Sequence, residues 1–397
     1  MKFSQRLTLL GTETAFAVSA LAEDWRARGN KIYPFHLGDI NIQPPEALIE
    51  GVSAAIRNGK NGYCPGAGIP LFREQLAAHF SAPRGVSYAA ENVAVQPGGK
   101  PVITKFIQAV MNPGEEVLYP VPGFPIYESQ IRYYGGVAVP YYYHATDDGF
   151  RLDIEAISQA VNKNTRAIIF NNYHNPTGAM ASAAELDAIA KIAVEHDLWI
   201  LNDDAYYAIR YDDTPAQSLL TRPGVMERTI NLFTFSKQFA MTGWRIGAAI
   251  GPVEAINNIA KMNTNIESCT THFIQQAIGQ ALADDTADYT PILAELKCRR
   301  DALVTNIAAI DGIDVSVPQS AFYLYCDLKR IMQRKKITTI EPLMTGTLQQ
   351  TGVSFCTGAH FGAGSDTTFA RFAFSGISVE DINAGGVRLK QYFESEQ

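Results

Sequence analysis

Lys237 is the residue whose neighbours point most directly to chemistry. Two hydroxyl residues, Thr234 and Ser236, precede it, and Arg245 follows eight residues later. Hydroxyl groups and a guanidinium suit the binding of a phosphate group. An amine beside a phosphate site can form a Schiff base with a phosphorylated aldehyde, and pyridoxal 5'-phosphate is a cofactor of that kind. Most lysines that follow a strand are ordinary surface residues, so this motif gains weight only from the rest of the chain.

Two further segments that follow predicted strands could hold other parts of such a cofactor. Residues 96–100, Gln-Pro-Gly-Gly-Lys, join a strand to a helix, and glycines there let backbone N–H groups approach a phosphate. Phe124, in the loop after the next strand, could stack on an aromatic ring. Taken alone, the first segment is more typical of a tight turn, and a loop phenylalanine is more typical of core packing.

Amide, carboxylate and phenol groups follow two later predicted strands. Asn175, in the turn sequence Asn-Pro-Thr-Gly, offers a neutral donor suited to a phenolate oxygen. Asp203 ends a strand, where its carboxylate could keep a pyridine nitrogen protonated and deepen the electron sink of the cofactor. Tyr206 could donate to the same phenolate oxygen. For any one of these positions a turn or a strand cap is the simpler interpretation, so the argument depends on the whole set.

The elements that must position these residues alternate along the chain. Apolar β-branched runs alternate with helical patterns, which predicts an α/β fold with helices on both faces of a sheet. Ligands of such sheets bind beyond the carboxyl ends of the strands, where the polar residues above lie. The seven predicted strands are residues 92–96, 116–119, 137–140, 166–171, 199–202, 229–235 and 245–250.

After about residue 290 the pattern changes to a long helix and four short strands, predicted at 314–317, 322–327, 353–357 and 368–373. This predicts a smaller α+β domain built from residues 1–47 and 291–397, beside a large domain of residues 48–290. Near the N-terminus, Glu13 interrupts an apolar run, which favours a first helix over a signal peptide.

Composition excludes several classes of partner. The 397 residues are 47% hydrophobic and carry a net charge of −7 without a basic block, so neither nucleic acid nor an anionic membrane is expected. No apolar stretch is long enough to span a membrane. Five scattered cysteines predict reduced thiols and a cytoplasmic location. No metal-binding motif is present, and no metal is expected.

Taken in chain order, the motifs resemble fold-type I pyridoxal-phosphate enzymes, specifically class I aminotransferases of the aspartate-aminotransferase-like branch. The resemblance covers essentially the whole chain. It implies a large domain with a mostly parallel seven-stranded sheet between helices, plus a smaller α+β domain. The residues that carry it are Tyr63-x-x-x-x-Gly68-x-x-x-x-Arg73, Gly98-Gly99-Lys100, Phe124, Asn175-Pro176-Thr177-Gly178, Asp203-x-x-Tyr206, Ser236-Lys237 and Thr242-Gly243-Trp244-Arg245-Ile246-Gly247.

The resemblance implies roles for these residues in catalysis and in binding the cofactor. The implied catalytic residues are Lys237, as the Schiff-base amine and proton carrier, with Asp203 at the pyridine nitrogen and Tyr206 at the ring oxygen. The implied cofactor contacts are the phosphate ligands Gly99, Lys100, Thr234, Ser236 and Arg245, the stacking residue Phe124, and Asn175 at the ring oxygen. Tyr63 would reach the phosphate of a neighbouring subunit, which implies a homodimer with shared active sites.

The resemblance also implies how an amino acid and a 2-oxo acid would bind. Arg371 matches the arginine that holds the substrate α-carboxylate, and Gly38 matches a backbone contact to it. Asn175 would lie against the substrate as well. Lys100 favours a second, distal carboxylate, whereas Glu13 would repel one and welcome a basic group. The amino donor is therefore open, and 2-oxoglutarate or pyruvate is the expected acceptor.

Two other functions are weighed against transamination. The first is another reaction on the same cofactor, such as that of a β-lyase, a decarboxylase or an oxidase, which the motifs distinguish poorly. The second is a regulator that uses this fold to bind an effector. Regulators of that kind carry a DNA-binding module in front, and the first predicted helix begins too early to leave room for one.

Overall fold

The computed structural model describes residues 2–11, 15–147, 149–212, 215–362, 364 and 367–395. The helices are α1 Ala15–Ala27, α2 Glu46–Arg57, α3 Pro70–Ser81, α4 Lys100–Val110, α5 Ile126–Tyr133, α6 Ile154–Ala160, α7 Ala183–Glu195, α8 Phe235–Gln238, α9 Val253–Ile266, α10 His272–Ala283, α11 Thr290–Ala308, α12 Lys329–Arg334, α13 Ile340–Thr351 and α14 Val379–Glu394. The strands are β1 Tyr33–Pro34, β2 Val93–Gln96, β3 Glu116–Val121, β4 Val137–Thr146, β5 Gly149–Leu152, β6 Thr165–Asn171, β7 Trp199–Asp203, β8 Thr229–Thr234, β9 Gly247–Ile250, β10 Tyr323–Asp327, β11 Val353–Ser354, β12 Cys356–Thr357 and β13 Phe369–Ala373.

The large sheet has the strand order β2-β9-β8-β7-β6-β3-β4-β5 within the described ranges. The central pairs, from β8 through β7, β6 and β3 to β4, are parallel, while β2, β9 and β5 pair antiparallel. This confirms the mostly parallel sheet. The number of strands differs from the prediction, because β4 continues to Thr146 and turns back into β5, an eighth strand. The short β5 sequence, Gly-Phe-Arg-Leu, has too weak an alternation to be recognised alone.

Both faces of this sheet are apolar, and helices cover both of them. Along β7, Ile200 belongs to the apolar cluster on one face and Leu201 to the cluster on the other. The same alternation recurs in β6, where Ile168 and Ile169 face opposite clusters. Successive side chains of a strand point to opposite faces, so a strand buried on both sides needs a continuous apolar run. Polar side chains lie mainly at the ends of such strands, and a buried one inside β8, Asn231, accepts a hydrogen bond from Asn202 Nδ2 (2.9 Å).

A smaller group of elements includes residues from both ends of the chain. Strands β10, β13 and β12 form an antiparallel sheet, and β1 pairs in parallel with β11, which joins residue 33 to residue 353. The strand predicted at 314–317 is wrong, since these residues are mostly exposed and form no strand. The predicted strand 353–357 is divided between β11 and β12. The domain boundaries stay a prediction.

A buried amine joins a strand of the large sheet to two of the helices. Lys105, on α4, has 2% of its side chain exposed. Its Nζ donates to Gln96 Oε1 (2.8 Å), to Asn263 Oδ1 (2.6 Å) and to the Glu267 carboxylate (2.7 Å). Asn263 in turn donates to the Gly66 carbonyl (2.8 Å). These bonds tie the middle of α4 to β2, to the end of α9 and to the loop before α3. No helix within the described ranges is long and apolar enough to cross a membrane.

Replacing Lys105 with methionine should lower the free energy of unfolding of the cofactor-free chain by about 3 kcal/mol. The reason is that Glu267 loses its counter-ion and the buried Gln96 Oε1 loses its donor, while Asn263 Oδ1 keeps only the hydrogen bond from Gln96 Nε2. Urea unfolding followed by far-UV circular dichroism measures the change. Lys191→Met is the matched control, because its pair with Glu195 spans 3.8 Å on the exposed face of α7. The control should change stability by less than about 0.5 kcal/mol, and equal losses in the two variants would contradict a supporting role for Lys105.

Candidate active site

A cavity of about 650 Å³ opens at the carboxyl ends of the parallel strands. Its size is that of a pocket for a cofactor together with a small substrate. Twelve of the residues predicted for the site line it: Gly38, Gly99, Lys100, Phe124, Asn175, Asp203, Tyr206, Thr234, Ser236, Lys237, Arg245 and Arg371. They come from segments as far apart in sequence as residues 38 and 371, and the fold brings them to one place.

The two remaining predicted residues are Tyr63 and Glu13. Tyr63 is 88% exposed and does not line the cavity of its own chain. Glu13 lies outside the described residues.

Lys237 is presented by the end of β8. The strand ends at Thr234, whose Oγ1 accepts a hydrogen bond from the Ser236 N–H (3.2 Å) and so starts the short helix α8. The half-buried Lys237 Nζ donates to the Gly38 carbonyl (2.8 Å) and lies 5.2 Å from the centre of the Phe322 ring. The amine is therefore held in the cavity by the backbone of the segment that follows β1.

A guanidinium and a helix start lie side by side at another part of the cavity. Gly98 has a φ of +97°, and a Cβ at this position would collide with the guanidinium of Arg245. The Arg245 backbone is itself left-handed (φ 56°), and its Nη1 donates to the Thr242 carbonyl (2.8 Å). Gly99 precedes the first turn of α4, where backbone N–H groups lack partners within the helix. Together with the Thr234 hydroxyl, these groups form a cradle for a phosphate.

Asp203 ends β7 and is buried. The Tyr127 hydroxyl donates to its Oδ2 (2.6 Å), and the Ala205 N–H approaches its Oδ1 (3.4 Å). Burial raises the pKa of Asp203 from 3.8 to about 6, although both hydrogen bonds oppose the rise. The neighbouring charge of Asp204 adds to the increase in pKa, and Lys237 reduces it. The site thus holds a carboxylate that a cationic partner would stabilise.

Arg371, on β13, is held rigidly with 4% of its surface exposed. Its Nη1 donates to Asn175 Oδ1 (2.8 Å) and its Nη2 to the His36 carbonyl (2.9 Å). The guanidinium lies over the rings of Tyr323 (4.3 Å) and Phe361 (4.5 Å). Its buried Nε has no hydrogen-bond partner among the described residues. An anion such as a carboxylate in the cavity that Arg371 lines would supply the negative charge that balances the guanidinium.

The sequence profile of the family described as aminotransferase class I and II matches residues 33–386. That span is most of the chain and includes every described site residue. The chain belongs to this family. Because the class I family depends on pyridoxal 5'-phosphate, the protein is a pyridoxal-phosphate-dependent aminotransferase of fold type I, and it acts on amino acids and 2-oxo acids.

Named relatives agree with this assignment. The aminotransferase is 32% identical over 394 residues to a probable aspartate/prephenate aminotransferase of Aquifex aeolicus, with 98% of both chains covered. It is 31% identical to an asparagine–oxo-acid transaminase of Streptococcus mutans, covering 91% of this chain and 92% of the relative. The structure of the Thermus thermophilus aspartate aminotransferase with maleate superimposes with a TM-score of 0.90 at 29% identity, covering 98% and 99% of the two chains. None of these three is named a lyase, a decarboxylase or an oxidase.

Sequence reasoning missed several residues of the aminotransferase site. Tyr323 lines the cavity, its hydroxyl lies 2.7 Å from that of Tyr206, and a Cβ on Gly38 would collide with it. Tyr127 binds Asp203, and the His36 carbonyl binds Arg371. These contacts link residues far apart in sequence, and no local sequence pattern predicts them.

Among the described residues, no group of His, Cys, Asp and Glu is arranged to hold a metal ion.

The carboxylate beside Asp203 has a different environment. Asp204 Oδ2 accepts from Nε (3.1 Å) and Nη2 (3.0 Å) of Arg84, and both side chains are at most 5% exposed. The guanidinium lies between the rings of Phe80 (3.9 Å) and Tyr207 (3.6 Å). Two consecutive carboxylates are therefore buried, one with a cationic partner and one with neutral donors.

Asp203→Asn should stabilise the cofactor-free aminotransferase at pH 8 by up to about 3 kcal/mol, the cost that corresponds to a pKa raised by about two units. Between pH 3.8 and about 6 the folded state holds more protons at Asp203 than the unfolded state does. Its contribution to stability therefore falls as the pH rises through this window, and the gain from asparagine should vanish near pH 4. Thermal and urea unfolding at several pH values measure both effects.

Asp204→Asn is the matched control and should act in the opposite direction. It leaves the buried guanidinium of Arg84 without its counter-ion, which should cost about 3–5 kcal/mol at pH 8. A loss of stability in Asp203→Asn as large as that in Asp204→Asn would contradict the distinction between the two carboxylates.

Proposed function

We propose that Lys237 carries pyridoxal 5'-phosphate as a Schiff base and that the residues around the cavity hold the rest of the cofactor. The phosphate would bind to the N–H groups of Gly99 and Lys100 and to the side chains of Thr234, Ser236 and Arg245. The fit is supported by Gly98, because its missing Cβ leaves room for the guanidinium that the phosphate needs.

The ring would lie between Phe124 and the carboxyl ends of the strands, with its oxygen facing Asn175 and Tyr206 and its nitrogen facing Asp203. Phe124 lines the cavity and meets Tyr127 edge-on, with ring centres 5.8 Å apart, so one face of the phenylalanine can stack. A protonated ring nitrogen would supply the cation that the buried Asp203 lacks, which lowers the pKa of this carboxyl group and keeps it ionised. Tyr206 stays protonated, since burial raises its pKa well above 10, so it donates a hydrogen bond to an anionic oxygen.

Bound pyridoxal 5'-phosphate withdraws electrons from the α-carbon of the attached amino acid and makes its α-proton acidic. Lys237 Nζ would be the general base that takes the α-proton and the general acid that returns a proton in the 1,3-shift of transamination. Its hydrogen bond to the Gly38 carbonyl supports this role, because it holds the amine beside the position proposed for the substrate. Holding the base in place removes the entropic cost of bringing it to the α-carbon.

Recognition of the substrate α-carboxylate would rest on Arg371. The guanidinium is fixed by Asn175 and the His36 carbonyl before any substrate arrives, and its Nε still lacks an acceptor. This preorganised anion site is the observation that carries the proposed function most strongly. The backbone of Gly38, which already accepts from Lys237, would lie at the same end of the substrate.

For the amino donor we infer an aspartate-type substrate, with a 2-oxo acid such as 2-oxoglutarate or pyruvate as acceptor. Lys100 lines the cavity, with its Nζ 5.6 Å from the centre of the Phe124 ring, and provides a cation for a side-chain carboxylate. The names of the Aquifex and Thermus relatives include aspartate, and the Thermus structure contains the dicarboxylate maleate. Glu13, which could repel a second carboxylate and welcome a basic group, lies outside the described residues.

A homodimer in the cytoplasm is the proposed state of the enzyme. Tyr63 is 88% exposed in the single chain, as expected for a residue that completes the site of a second copy. All five cysteines are free thiols, which is typical of a reducing compartment.

Lys237→Ala should reduce transamination at least about a thousandfold, because the amine that moves the α-proton is lost. In a half-reaction assay, the loaded enzyme receives one L-amino acid without any oxo acid, while visible absorbance and product mass are followed. The wild type and the surface control Lys191→Met should give one equivalent each of the 2-oxo acid and the amine form of the cofactor. Borohydride should fix the cofactor to the peptide that contains Lys237 in both of these proteins. Wild-type turnover past one equivalent, with release of ammonia or CO₂, would show a different reaction.

Lys100→Met should lower kcat/KM for aspartate about 10- to 100-fold, while phenylalanine changes less than about threefold, since only aspartate presents a second carboxylate. The same half-reaction assay, run with both donors, measures the ratio of the two effects. An equal loss for the two donors would assign Lys100 to the cofactor alone.

A further inference from the structure

Tyr127 makes the shortest contact to Asp203 that the structure shows. It lies on α5, is fully buried, and donates from its hydroxyl to Asp203 Oδ2 at 2.6 Å. Hydrogen bonds from hydroxyl groups to carboxylates are short and strong, since the acceptor is charged. The bond links α5 to the end of β7 across 76 positions of sequence.

A phenol is suited to remain a donor at this position. Burial, and the nearby Asp203 charge after it, raise the pKa of Tyr127 well above 10. The hydroxyl therefore keeps its proton throughout the range in which Asp203 titrates. A donor that never ionises favours the charged form of its acceptor, and the Tyr127 bond does lower the pKa of Asp203.

Some of the groups that face Asp203 raise its pKa, and others lower it. The charge of Asp204, next in sequence, raises the pKa of Asp203, whereas Lys237 on α8 and the Ala205 N–H lower it. The Asn171 amide, at the end of β6, donates to the backbone carbonyl of Asp203 (2.7 Å) and so fixes the strand end. Tyr206 also lies within electrostatic range and stays neutral.

We propose that Tyr127 is a positioning residue that orients the Asp203 carboxylate and keeps it ionised, so that the carboxylate can hold a proton on the nitrogen of the cofactor ring. This inference rests on the role proposed for Asp203. Because Phe124 lies three residues earlier and meets the Tyr127 ring edge-on, the start of α5 would set both the carboxylate and the wall against which the ring stacks.

Tyr127→Phe removes one hydroxyl group and leaves the ring. Tyr141→Phe is the matched control, because Tyr141 is 1% exposed and donates to the Ile169 carbonyl (2.8 Å), a backbone acceptor that does not titrate. Both variants lose one buried hydrogen bond from a tyrosine, so a general loss of packing or stability should affect them alike.

The first measurement is the pKa of Asp203 in the cofactor-free protein, followed by NMR of aspartate labelled with ¹³C at the carboxyl carbon and assigned with Asp203→Asn. Loss of a hydrogen bond to a charged group should raise this pKa by about one to two pH units in Tyr127→Phe. Tyr141→Phe should leave it within about 0.3 units of the wild type. An unchanged pKa in Tyr127→Phe would overturn the proposal.

The second measurement is the half-reaction of the loaded enzyme across pH. In Tyr127→Phe we expect kcat to fall about 10- to 100-fold with KM for the amino acid nearly unchanged, and the pH profile to shift. In the Asp203→Asn background the same substitution should have no further effect on kcat. A raised pKa together with an unchanged kcat would support the contact and contradict the catalytic role of Asp203, so the two proposals fail separately.

The hydrogen bond can also be tested without the phenylalanine variant, in case that variant does not fold. The wild-type protein should show a downfield hydroxyl-proton resonance that disappears in Asp203→Asn and persists in Asp204→Asn. Its absence from the wild type would overturn the proposal.

Discussion

The cost of burying charge is the constraint on which the organisation of this site depends. A carboxylate, Asp203, and a guanidinium, Arg371, are both withdrawn from water into one cavity, where neither is stable without polar partners. The fold supplies these partners from distant elements: Tyr127 for the carboxylate, and Asn175 with the His36 carbonyl for the guanidinium. These partners are neutral, so they do not balance the charge of Asp203 or of Arg371. A pyridinium would balance the first charge, and the carboxylate of an amino acid would balance the second.

Much of the fold and of the site could be predicted from the sequence because strands buried on both faces are mostly apolar and end in polar residues. Asp203 and the residues before Lys237 stand at such ends, and parallel strands place their carboxyl ends along one edge. All seven predicted strands of the large sheet exist, and twelve of the predicted site residues line one cavity. The sequence succeeds here because the sheet topology places the carboxyl ends of the parallel strands close together in space.

The remaining features depend on contacts that have no local signal. In the sequence, Tyr127 looks like any aromatic residue near the start of a helix, and only the fold shows that it contacts Asp203. The failed strand at 314–317 shows the converse, since its alternation is suitable but its backbone meets no partner strand. Arg371 could be assigned only through resemblance to a family, because the position of an arginine on a late strand does not predict which residues it contacts. Sequence patterns thus locate charged groups well, while the neutral groups that stabilise them require the structure.

The adjacent carboxylates at the end of β7 have a consequence for how such chains can vary. Asp203 faces the cavity and Asp204 faces Arg84, because successive side chains leave a strand on opposite sides. The two residues are chemically identical, and only their positions in the sequence distinguish them. Gain or loss of one residue within β7 would move one of these carboxylates into the place of the other and would turn the side chains that follow to the opposite face. Differences in length among relatives should therefore collect in the loops and leave the spacing from β7 to Tyr206 unchanged.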